Sequence, residues 1–431
     1  MGTNRRSGPD KAKHIIILSA CILLIAAIIF QQVAYRHGTV DILRQLEPET
    51  ATFRELGGEY PDYMLLDKDG QTLGYAVQAS ASGYGGPISV FVLLAADGTI
   101  KKVAIAENYE TPAYLHRVLR KNYLQSFAGL KPGDLVGTAA KVDTVGGATL
   151  TTEGIYQAVR KGVIQVGNNQ LNLGLETESA RYIGWQEIGL LCFYVLTLLA
   201  IHFKWNKLRP WVLLGSVVFL GFTLNAALSL QNIAGLISGK LPSLAERPFW
   251  YILTFGVIGL TLLIGKNFYC SWLCPFGGLQ EGLYKVLGFF RFQLPSGITI
   301  ITKKVRWGLI WAALMLALIM NKPGIAGFEP FAVAFGGSGS FGQWLILCLV
   351  LVTAVLIRRV WCKFFCPVGA VLGLIADIRR KVKSWTLRTE HELVKPDQDC
   401  SKLSRNDVVY IVLIALYTCL IALTLLNNTL D

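Results

Sequence analysis

Seven long apolar runs constrain the fold of this 431-residue chain more than any other feature. A helix that crosses the roughly 30 Å hydrocarbon core of a bilayer needs about 20 mostly apolar residues. Runs of this kind occupy residues 15–33, 185–203, 210–229, 249–266, 305–321, 341–358 and 408–427. The pattern predicts a polytopic α-helical membrane protein with about seven spans, whose first partner is the lipid bilayer.

The distribution of charge predicts how such a chain is oriented. Only 16% of the residues are charged, whereas an ordinary soluble domain has about 25%, which excludes a purely soluble enzyme. The net charge is +13, and basic residues crowd before the first apolar run and after the second, fourth and sixth. The positive-inside rule therefore predicts a multi-pass protein of the inner (cytoplasmic) membrane with its N terminus inside. Because the bilayer explains the basic excess, no nucleic-acid partner is expected.

The stretch between the first two runs predicts a separate domain outside the membrane. Residues 64–105 alternate between apolar and polar positions as antiparallel strands do, with Asp-Gly turn signals at 69–70 and 97–98. A helical pattern follows at 112–127. We therefore divide the chain into a cytoplasmic N terminus with the first span (1–34), an extracytoplasmic α+β domain (35–180) and a six-span membrane domain (181–431).

Two glycine-rich segments of this outer domain suit a phosphorylated ligand. The loop at 82–87 lets the backbone approach a flat or phosphorylated ligand closely. The turn at 146–149 precedes a second helix, predicted to begin at Thr152, so that an anion would meet the helix N-terminus. Taken alone, a glycine-rich helix entry is also compatible with a plain structural turn.

Three motifs in order carry a family resemblance. Gly-Tyr-Gly-Gly-Pro at 83–87, Glu-Thr-Pro at 110–112 and the segment 143–151 together resemble the FMN-binding domain of flavinylated subunits of sodium-pumping NADH:quinone reductase. The resemblance implies that a separate flavin transferase joins FMN through its phosphate to Thr149, with Asp143 in the transferase recognition motif. The remaining cofactor-binding residues that it implies are Gly83, Tyr84, Gly85, Gly86, Glu110, Thr111, Pro112, Gly147, Ala148, Leu150 and Thr151.

A duplicated C-x-x-x-C-P motif predicts a metal centre at the cytoplasmic ends of the spans. Cys270 and Cys274 follow the fourth apolar run, and Cys362 and Cys366 follow the sixth. Cysteines at i and i+4 share one helix face about 6 Å apart, and the following proline takes the second cysteine out of helical geometry. Four thiolates suit a [4Fe–4S] cluster or a tetrahedral metal such as structural zinc. Plain small apolar cysteines are the remaining interpretation.

The cysteine motifs resemble the C-x-x-x-C-P membrane module of nitrous-oxide and nitrate respiration proteins, which is described as iron–sulfur binding. Together with the outer domain, they make the chain resemble the NosR-like membrane flavoproteins of nitrous oxide and organohalide respiration. The resemblance implies an electron-transfer component and not a stand-alone catalyst. Its partners would be the quinone pool or a cytoplasmic ferredoxin-like donor, and an extracytoplasmic reductase or electron carrier. The alternative is a redox-sensing membrane regulator that works with a partner protein.

The predicted topology separates the two centres. With the flavin outside and the cysteines inside, a hydrocarbon layer of roughly 30 Å lies between them, and a quinone is the simplest carrier across it. The loop at 322–340, which contains Glu329, is predicted on the outer side. It has two interpretations: contact with the flavin domain or a quinone headgroup, or a re-entrant turn.

Overall fold

The computed structural model describes residues 8–34, 39–136, 142–175, 184–288 and 296–387. The chain divides into two compact units. The first comprises Met1–Glu178, Ile233–Leu241 and Trp311–Ala326, and the second comprises Ser179–Asn232, Pro242–Ile310 and Gly327–Asp431. The predicted span at 408–427 lies outside the described residues.

The first unit contains an antiparallel sheet whose five strands follow one another in chain order. The strands are β1 (Thr52–Glu55), β2 (Asp62–Leu66), β3 (Thr72–Ser82), β4 (Pro87–Ala95) and β5 (Ile100–Asn108). Gly70 and Gly98 take φ values of +77° and +85° in the turns between β2 and β3 and between β4 and β5. The hairpins predicted from the two Asp-Gly pairs are therefore confirmed.

Helices cover both faces of this sheet. The first unit contains α1 (Gly8–Ala34), α2 (Thr39–Leu46), α3 (Pro112–Arg120) and α4 (Thr149–Asn169), with 3₁₀ turns at Tyr123–Phe127 and Pro132–Leu135. Helix α4 packs on β3 and β4, where a Cβ at Gly162 would lie 2.8 Å from Val77. On the opposite face, Leu43 of α2 is fully buried in a cluster with Phe91 and Leu65. The α+β class predicted for this region is confirmed.

Two helix boundaries differ from the prediction. The helix expected at 112–127 ends at Arg120, because Asn122 adopts φ +53° and a 3₁₀ turn follows. Helix α4 begins at Thr149 and not at Thr152, because Ala148 is its N-cap residue with φ −136° and ψ 33°. The Gly-Gly-Ala-Thr turn therefore runs directly into the helix.

The second unit is helical. The helices that follow the first domain in the chain are α5 (Trp185–His202), α6 (Arg209–Ser216), α7 (Leu230–Ser238), α8 (Pro248–Ile264), α9 (Pro275–Leu287), α10 (Ser296–Ile319), α11 (Phe331–Gly336), α12 (Phe341–Leu356), α13 (Val360–Phe364) and α14 (Pro367–Leu387). Parts of α7 and α10 belong to the first unit. Short 3₁₀ turns lie at Asn206–Leu208 and Pro323–Ala326, and π-helical turns at Val217–Thr223 and Tyr269–Leu273. Helix α9 packs against α6 and α12, and α8 packs against α5 and α14.

The predicted spans agree with this set in part. The apolar run at 210–229 is not one helix, because α6 ends at Ser216, a π-helical turn continues to Thr223 and Asn225 adopts φ +47°. Within the described ranges, only α5 is both long and apolar enough to cross a bilayer. Leu18–Gln31, α8 and α12 are apolar but shorter. The number of seven spans is not confirmed and stays a prediction.

Candidate functional sites

A glycine loop and a buried carboxylate meet at the first candidate site. Residues Gly83–Gly86 connect β3 to β4, and the amide of Gly83 donates to the carbonyl oxygen of Gly86 at 2.9 Å. A Cβ at Gly83 would lie only 1.9 Å from Oε1 of Glu110. A larger residue at Gly83 would therefore displace the Glu110 carboxylate.

Glu110 joins the three segments that the sequence singled out. Its side chain is buried, with 3% exposure. Oε1 accepts a hydrogen bond from the amide of Gly85 at 3.1 Å, and Oε2 accepts one from Oγ1 of Thr151 at 2.9 Å. One carboxylate thus connects the glycine loop to the first turn of α4.

Helix α3 completes the site from the other side. Thr111 is its N-cap residue and Pro112 occupies the first helical turn, where a proline is favoured. The ring of Tyr84 meets the buried ring of Tyr114 edge-on at 4.8 Å between centroids. Nη1 of Arg117 donates to the carbonyl oxygen of Gly146 at 3.4 Å. Arg117, which the sequence analysis did not single out, therefore places a positive charge at the Gly-Gly-Ala-Thr turn.

The three threonines at the start of α4 have different environments. Thr151 is fully buried and donates to Glu110. Thr152 is also fully buried, and its hydroxyl donates to the carbonyl oxygens of Ala148 and Thr149 at 3.1 and 2.9 Å. Thr149 is exposed in the first turn of α4. Of these three hydroxyls, only that of Thr149 is accessible to a modifying enzyme.

The other predicted residues lie around this turn. Gly147 adopts φ +80°, which favours glycine, and Ala148 is buried as the N-cap residue. Leu150 is half-buried, and Asp143 is exposed ahead of the turn. The structure thus brings the glycine loop, Glu110 and the first turn of α4 together, with Arg117 at the Gly-Gly-Ala-Thr turn.

A turn from later in the chain supports Glu110. Gly324 lies in the 3₁₀ turn Pro323–Ala326, which belongs to the same compact unit as Glu110. A Cβ at Gly324 would lie 2.0 Å from the carbonyl oxygen of Glu110 and 3.3 Å from Cδ of Pro112. Only a glycine allows this close approach.

The second candidate site lies in the second unit, where both C-x-x-x-C-P motifs make the same backbone hydrogen bonds although the first lies on a π-helical turn and the second on the short α-helix α13. The amide of Cys274 donates to the carbonyl of Tyr269 at 2.8 Å, and that of Cys366 donates to the carbonyl of Trp361 at 2.9 Å. Three residues beyond each second cysteine, a glycine amide donates to its sulfur, at 3.4 Å to Cys274 and 3.3 Å to Cys366. These hydrogen bonds are what the predicted duplication leads one to expect.

The proline after Cys274 takes this cysteine out of helical geometry, as predicted. The prediction that the first cysteine pair shares one α-helical face is wrong. Cys274 takes the extended conformation (φ −66°, ψ 115°), and Pro275 begins α9. The first cysteine pair does not lie on an α-helical face, because Tyr269–Leu273 forms a wider π-helical turn. Such turns are frequent at functional sites.

Residues of both motifs come close together around Gly369 and Gln280. A Cβ at Gly369 would lie 3.6 Å from Sγ of Cys366 and 3.8 Å from Sγ of Cys270. Nε2 of the fully buried Gln280 lies 3.5 Å from Sγ of Cys362 as a hydrogen-bond donor. Oε1 of Gln280 accepts from the amide of Trp361 at 3.1 Å. Gln280 therefore ties the helix after the first motif to the second motif.

An ion-pair group adjoins the cysteines. Glu281 is 3% exposed and lies 2.8 Å from Arg209, 2.6 Å from Arg358 and 2.8 Å from Arg359. Burial alone would raise the pKa of Glu281, but hydrogen bonds from Arg209 and the charge of Arg359 lower it to about 2. The sequence did not single out Gln280, Glu281 or Arg359 as functional, because no motif marks them. The only sequence signal was the basic pair Arg358-Arg359 ahead of the second motif.

The donor set fits an iron–sulfur cluster. Burial and the neighbouring Cys274 together raise the pKa of Cys362 to about 12, so a cationic centre would be needed to hold this thiol as a thiolate. Soft sulfur donors suit iron–sulfur clusters and zinc and not magnesium or calcium. Within the described ranges, no three His, Cys, Asp or Glu side chains are placed to hold a single metal ion.

The segment predicted as an outer loop packs beside the cysteine motifs. Phe328 contacts Trp361 with ring centroids 6.3 Å apart, and Phe331 contacts Phe276 at 5.1 Å. Oε1 of Glu329 accepts from the amide of Leu230 at 2.6 Å, and burial raises the pKa of Glu329 to about 7. Gly324 of the same segment lies against Glu110 within the first unit, so of the two interpretations of this segment the structure favours contact with the predicted flavin domain.

Two protein-family models match separate parts of the chain. Residues 83–163 match the FMN-binding domain, and residues 246–295 and 344–384 match the 4Fe-4S binding domain. The first match contains the glycine loop, Glu110 and Thr149, and the second contains all four motif cysteines. The chain therefore combines an FMN-binding domain with a 4Fe-4S binding domain.

Individual relatives place this combination more narrowly. The chain is similar to the regulatory protein NosR of Pseudomonas aeruginosa, with 29% identity over 50% of this chain and 33% of NosR. It is similar to the putative electron transport protein YccM of Escherichia coli, with 30% identity over 40% of this chain and 48% of YccM. Protein NirI of Paracoccus denitrificans is 26% identical over 47% of this chain and 31% of NirI.

These matches confirm the resemblance to NosR-like flavoproteins that the motifs predicted, and they support an electron-transfer or regulatory role. The matched regions span about a third to a half of the length of these curated relatives.

Proposed function

We propose that the chain is a membrane-bound electron-transfer flavoprotein. It passes electrons between the quinone pool or a cytoplasmic donor and an extracytoplasmic partner. The carriers are FMN, attached through its phosphate to Thr149, and one [4Fe–4S] cluster held by Cys270, Cys274, Cys362 and Cys366. The observation that carries the proposal is that both cysteine motifs meet around Gly369 and Gln280 in a chain that also has an FMN-binding domain.

The two groups, when bound, supply complementary redox chemistry, because FMN exchanges one or two electrons and an iron–sulfur cluster exchanges one. The protein's own residues hold and orient them. Arg117 and the first turn of α4 favour a phosphate beside Thr149. The glycine loop, anchored on Glu110, leaves the backbone open to a flat ring system. The backbone amides at Gly277 and Gly369 stabilise the sulfur ligands.

Covalent attachment at Thr149 is supported by accessibility. A flavin transferase must reach the hydroxyl that it modifies, and Thr151 and Thr152 are fully buried and hydrogen-bonded. Thr149 and Asp143, the residue that the resemblance gives to the transferase recognition motif, are both exposed. A phosphoester would also keep the flavin from being lost by dilution in the outer compartment.

The membrane location is supported by apolar side chains on helix surfaces. Helix α5 exposes Ile188, Leu191, Val195 and Leu199 by 43–56%, and Leu263 of α8 is 75% exposed. Apolar surface in contiguous stretches of this kind marks contact with lipid or protein. The orientation with the N terminus inside and the FMN domain outside rests on the positive-inside rule.

The partners follow from this arrangement. A quinone is proposed to connect the two membrane faces, with a cytoplasmic ferredoxin-like protein as a further donor. An extracytoplasmic reductase or electron carrier would exchange electrons with the flavin. A flavin transferase would be required for maturation.

A second candidate function is a redox-sensing regulator, which the similarity to the regulatory protein NosR favours. In that case the flavin and the cysteines would report a redox state to a partner protein. The two functions differ in whether electrons pass through the chain at turnover rates.

Reconstitution separates the two candidates. The full chain, co-expressed with a flavin transferase and purified without oxygen, is placed in proteoliposomes with a menaquinol analogue. Electron transfer predicts flavin reduction that depends on quinol. With a cytoplasmic reductant and a menaquinone analogue in place of quinol, it predicts flavin reduction that is lost when Cys270 is changed to Ser. Flavin that stays oxidised, in protein with full iron and sulfide content, would contradict electron transfer and favour the sensor.

The attachment site has its own test. Thr149→Ala should abolish flavin fluorescence of the denatured protein on a gel, whereas Thr149→Ser keeps a hydroxyl and should retain some of it. Thr144→Ala is the matched control, because Thr144 is also exposed and lies close to the same turn. A fluorescent band from Thr149→Ala would refute the assignment.

A further inference from the structure

The guanidinium of Arg359, beside the cysteine motifs, has an N–H group that no described residue accepts. Nη1 of Arg359 donates to the carbonyl oxygen of Cys270 at 2.7 Å. Nη2 lies 2.8 Å from Oε2 of Glu281, and the side chain is 15% exposed. Nε of Arg359 is buried and has no hydrogen-bond partner among the described residues. A buried N–H group without an acceptor is costly and calls for a physical reason.

We propose that Arg359 sets the reduction potential of the [4Fe–4S] cluster, by donating N–H groups toward its sulfur atoms and placing a positive charge beside it. This inference rests on the proposed function only in requiring a cluster at the four cysteines. It adds a role for a residue that is not a ligand.

The position of the guanidinium supports the assignment. Cζ of Arg359 lies 3.7 Å from the position of a Cβ at Gly277. The amide of Gly277 in turn donates to Sγ of Cys274. Arg359 therefore contacts the backbone of Cys270 and lies near Gly277, although it precedes the second motif in the chain. A sulfur of a bound cluster is the acceptor that this location provides for the unused donor.

The backbone holds Arg359 in an uncommon conformation. Its φ and ψ are +54° and +46°, in the left-handed region, where a residue with a Cβ is disfavoured. Such conformations persist when the surroundings fix them, and they cluster at functional sites. Glu281 and the Cys270 carbonyl supply that constraint, so the charge is held in place and not left mobile.

Electrostatics gives the direction of the effect. Reduction of the cluster adds one electron and moves no bond, so the charge of the cluster and its thiolates becomes more negative by one. A fixed positive charge in a buried site stabilises the reduced form more than the oxidised form. Hydrogen bonds to sulfur act in the same direction, and both are known determinants of cluster potential. Arg359 should therefore raise the reduction potential.

Arg358 provides a matched control in the chain itself. It is the neighbouring residue, carries the same charge and pairs with the same carboxylate at 2.6 Å. Its side chain is 48% exposed, so solvent screens its charge. Removing Arg358 changes the net charge and the Glu281 pairing by the same amount as removing Arg359, but not the donors beside Cys270.

The test is a potentiometric titration of the full chain. Wild type, Arg359→Gln, Arg359→Lys and Arg358→Gln are purified without oxygen, their iron is measured, and the cluster is titrated with dithionite and mediators under electron paramagnetic resonance. We expect Arg359→Gln to shift the equilibrium toward the oxidised form about tenfold, which is about 59 mV for one electron. Arg359→Lys should shift it less, because the charge remains, and Arg358→Gln should leave it near wild type.

Each other result has a defined meaning. Equal shifts in Arg358→Gln and Arg359→Gln, or no shift in either, would overturn the role of Arg359. If Arg359→Gln lacks iron, Arg359→Lys decides: full iron with an unchanged potential would overturn the donation of N–H groups toward the cluster. Wild-type protein without iron would reject the proposed function itself, which distinguishes that failure from this one.

Discussion

Removing the carboxylate of Glu281 should destabilise the helical unit far more than removing an ordinary surface charge. Glu281 is almost fully buried among Arg209, Arg358 and Arg359. Glu281→Gln keeps the shape of the side chain but leaves three guanidinium groups with only a neutral acceptor. Breaking a buried ion pair from one side is strongly unfavourable, because the remaining charges lose their compensation.

The magnitude follows from the pKa of Glu281. Its pKa falls from 4.5 to about 2 in the folded protein. Since one pKa unit corresponds to about 1.4 kcal/mol, the ionised form contributes about 3 kcal/mol at neutral pH. A loss of this size agrees with the roughly 3–5 kcal/mol measured for broken buried pairs. At about 2–4 °C per kcal/mol, Tm should fall by about 6–12 °C.

The same shift predicts a pH dependence. Because the folded pKa lies below the unfolded value, the stabilisation is present above pH 4.5 and is lost as the pH falls toward about 2. The difference in Tm between wild type and Glu281→Gln should therefore be constant at neutral pH and narrow on acidification below pH 4.5.

Thermal unfolding in detergent, followed by intrinsic fluorescence, measures these quantities. Asp377→Asn is the control, because its ion pair with Arg380 is exposed on both sides and should be worth at most about 1 kcal/mol. If Glu281→Gln lowers Tm by no more than Asp377→Asn does, or if the difference does not depend on acidity, the reasoning about a buried, charged network is wrong.

Three further predictions concern the sites. Any of Cys270→Ser, Cys274→Ser, Cys362→Ser and Cys366→Ser should lower iron content and leave flavin fluorescence unchanged; stoichiometric zinc without iron in the wild type would contradict this. Glu110→Ala should remove the hydrogen bonds that connect the glycine loop to α4, and should lower flavin attachment without loss of iron. Glu107→Ala, in β5, should leave flavin attachment unchanged. Gln280→Leu should lower the free energy of unfolding of the iron-containing protein by about 1–3 kcal/mol, because it removes a buried donor to Cys362 and leaves the Trp361 amide without its acceptor. An unchanged Tm would argue against a connecting role.

Features with a local physical cause were readable from the sequence. The Asp-Gly pairs predicted the hairpins because glycine admits positive φ, and the proline after each second cysteine predicted the break in the helix. The glycine loop, Glu110 and the Gly-Gly-Ala-Thr turn are separated in the chain, and only the family resemblance indicated that they meet.

Features that depend on tertiary contacts were not readable. Gln280 and Glu281 lie on a helix whose pattern is ordinary, and their partners are about 80 residues away in the chain. The break at the end of α6 comes within an uninterrupted apolar run, so hydropathy predicted a single helix there. Buried polar residues of this kind take their meaning from partners that a linear pattern does not reveal.

The duplicated cysteine motifs share backbone hydrogen bonds but differ in the charged side chains around them, and this difference has a directional consequence. Glu281 of the first copy corresponds in position to Gly373 of the second, and Arg359 of the second corresponds to Asn267 of the first. The acid comes from one half and the base from the other, so two copies of either half alone would not reproduce the pairing. The corners of a cube held between these halves would face unequal surroundings. The two halves therefore contribute different charges to the site, and exchanging them would place the acid and the base on opposite sides.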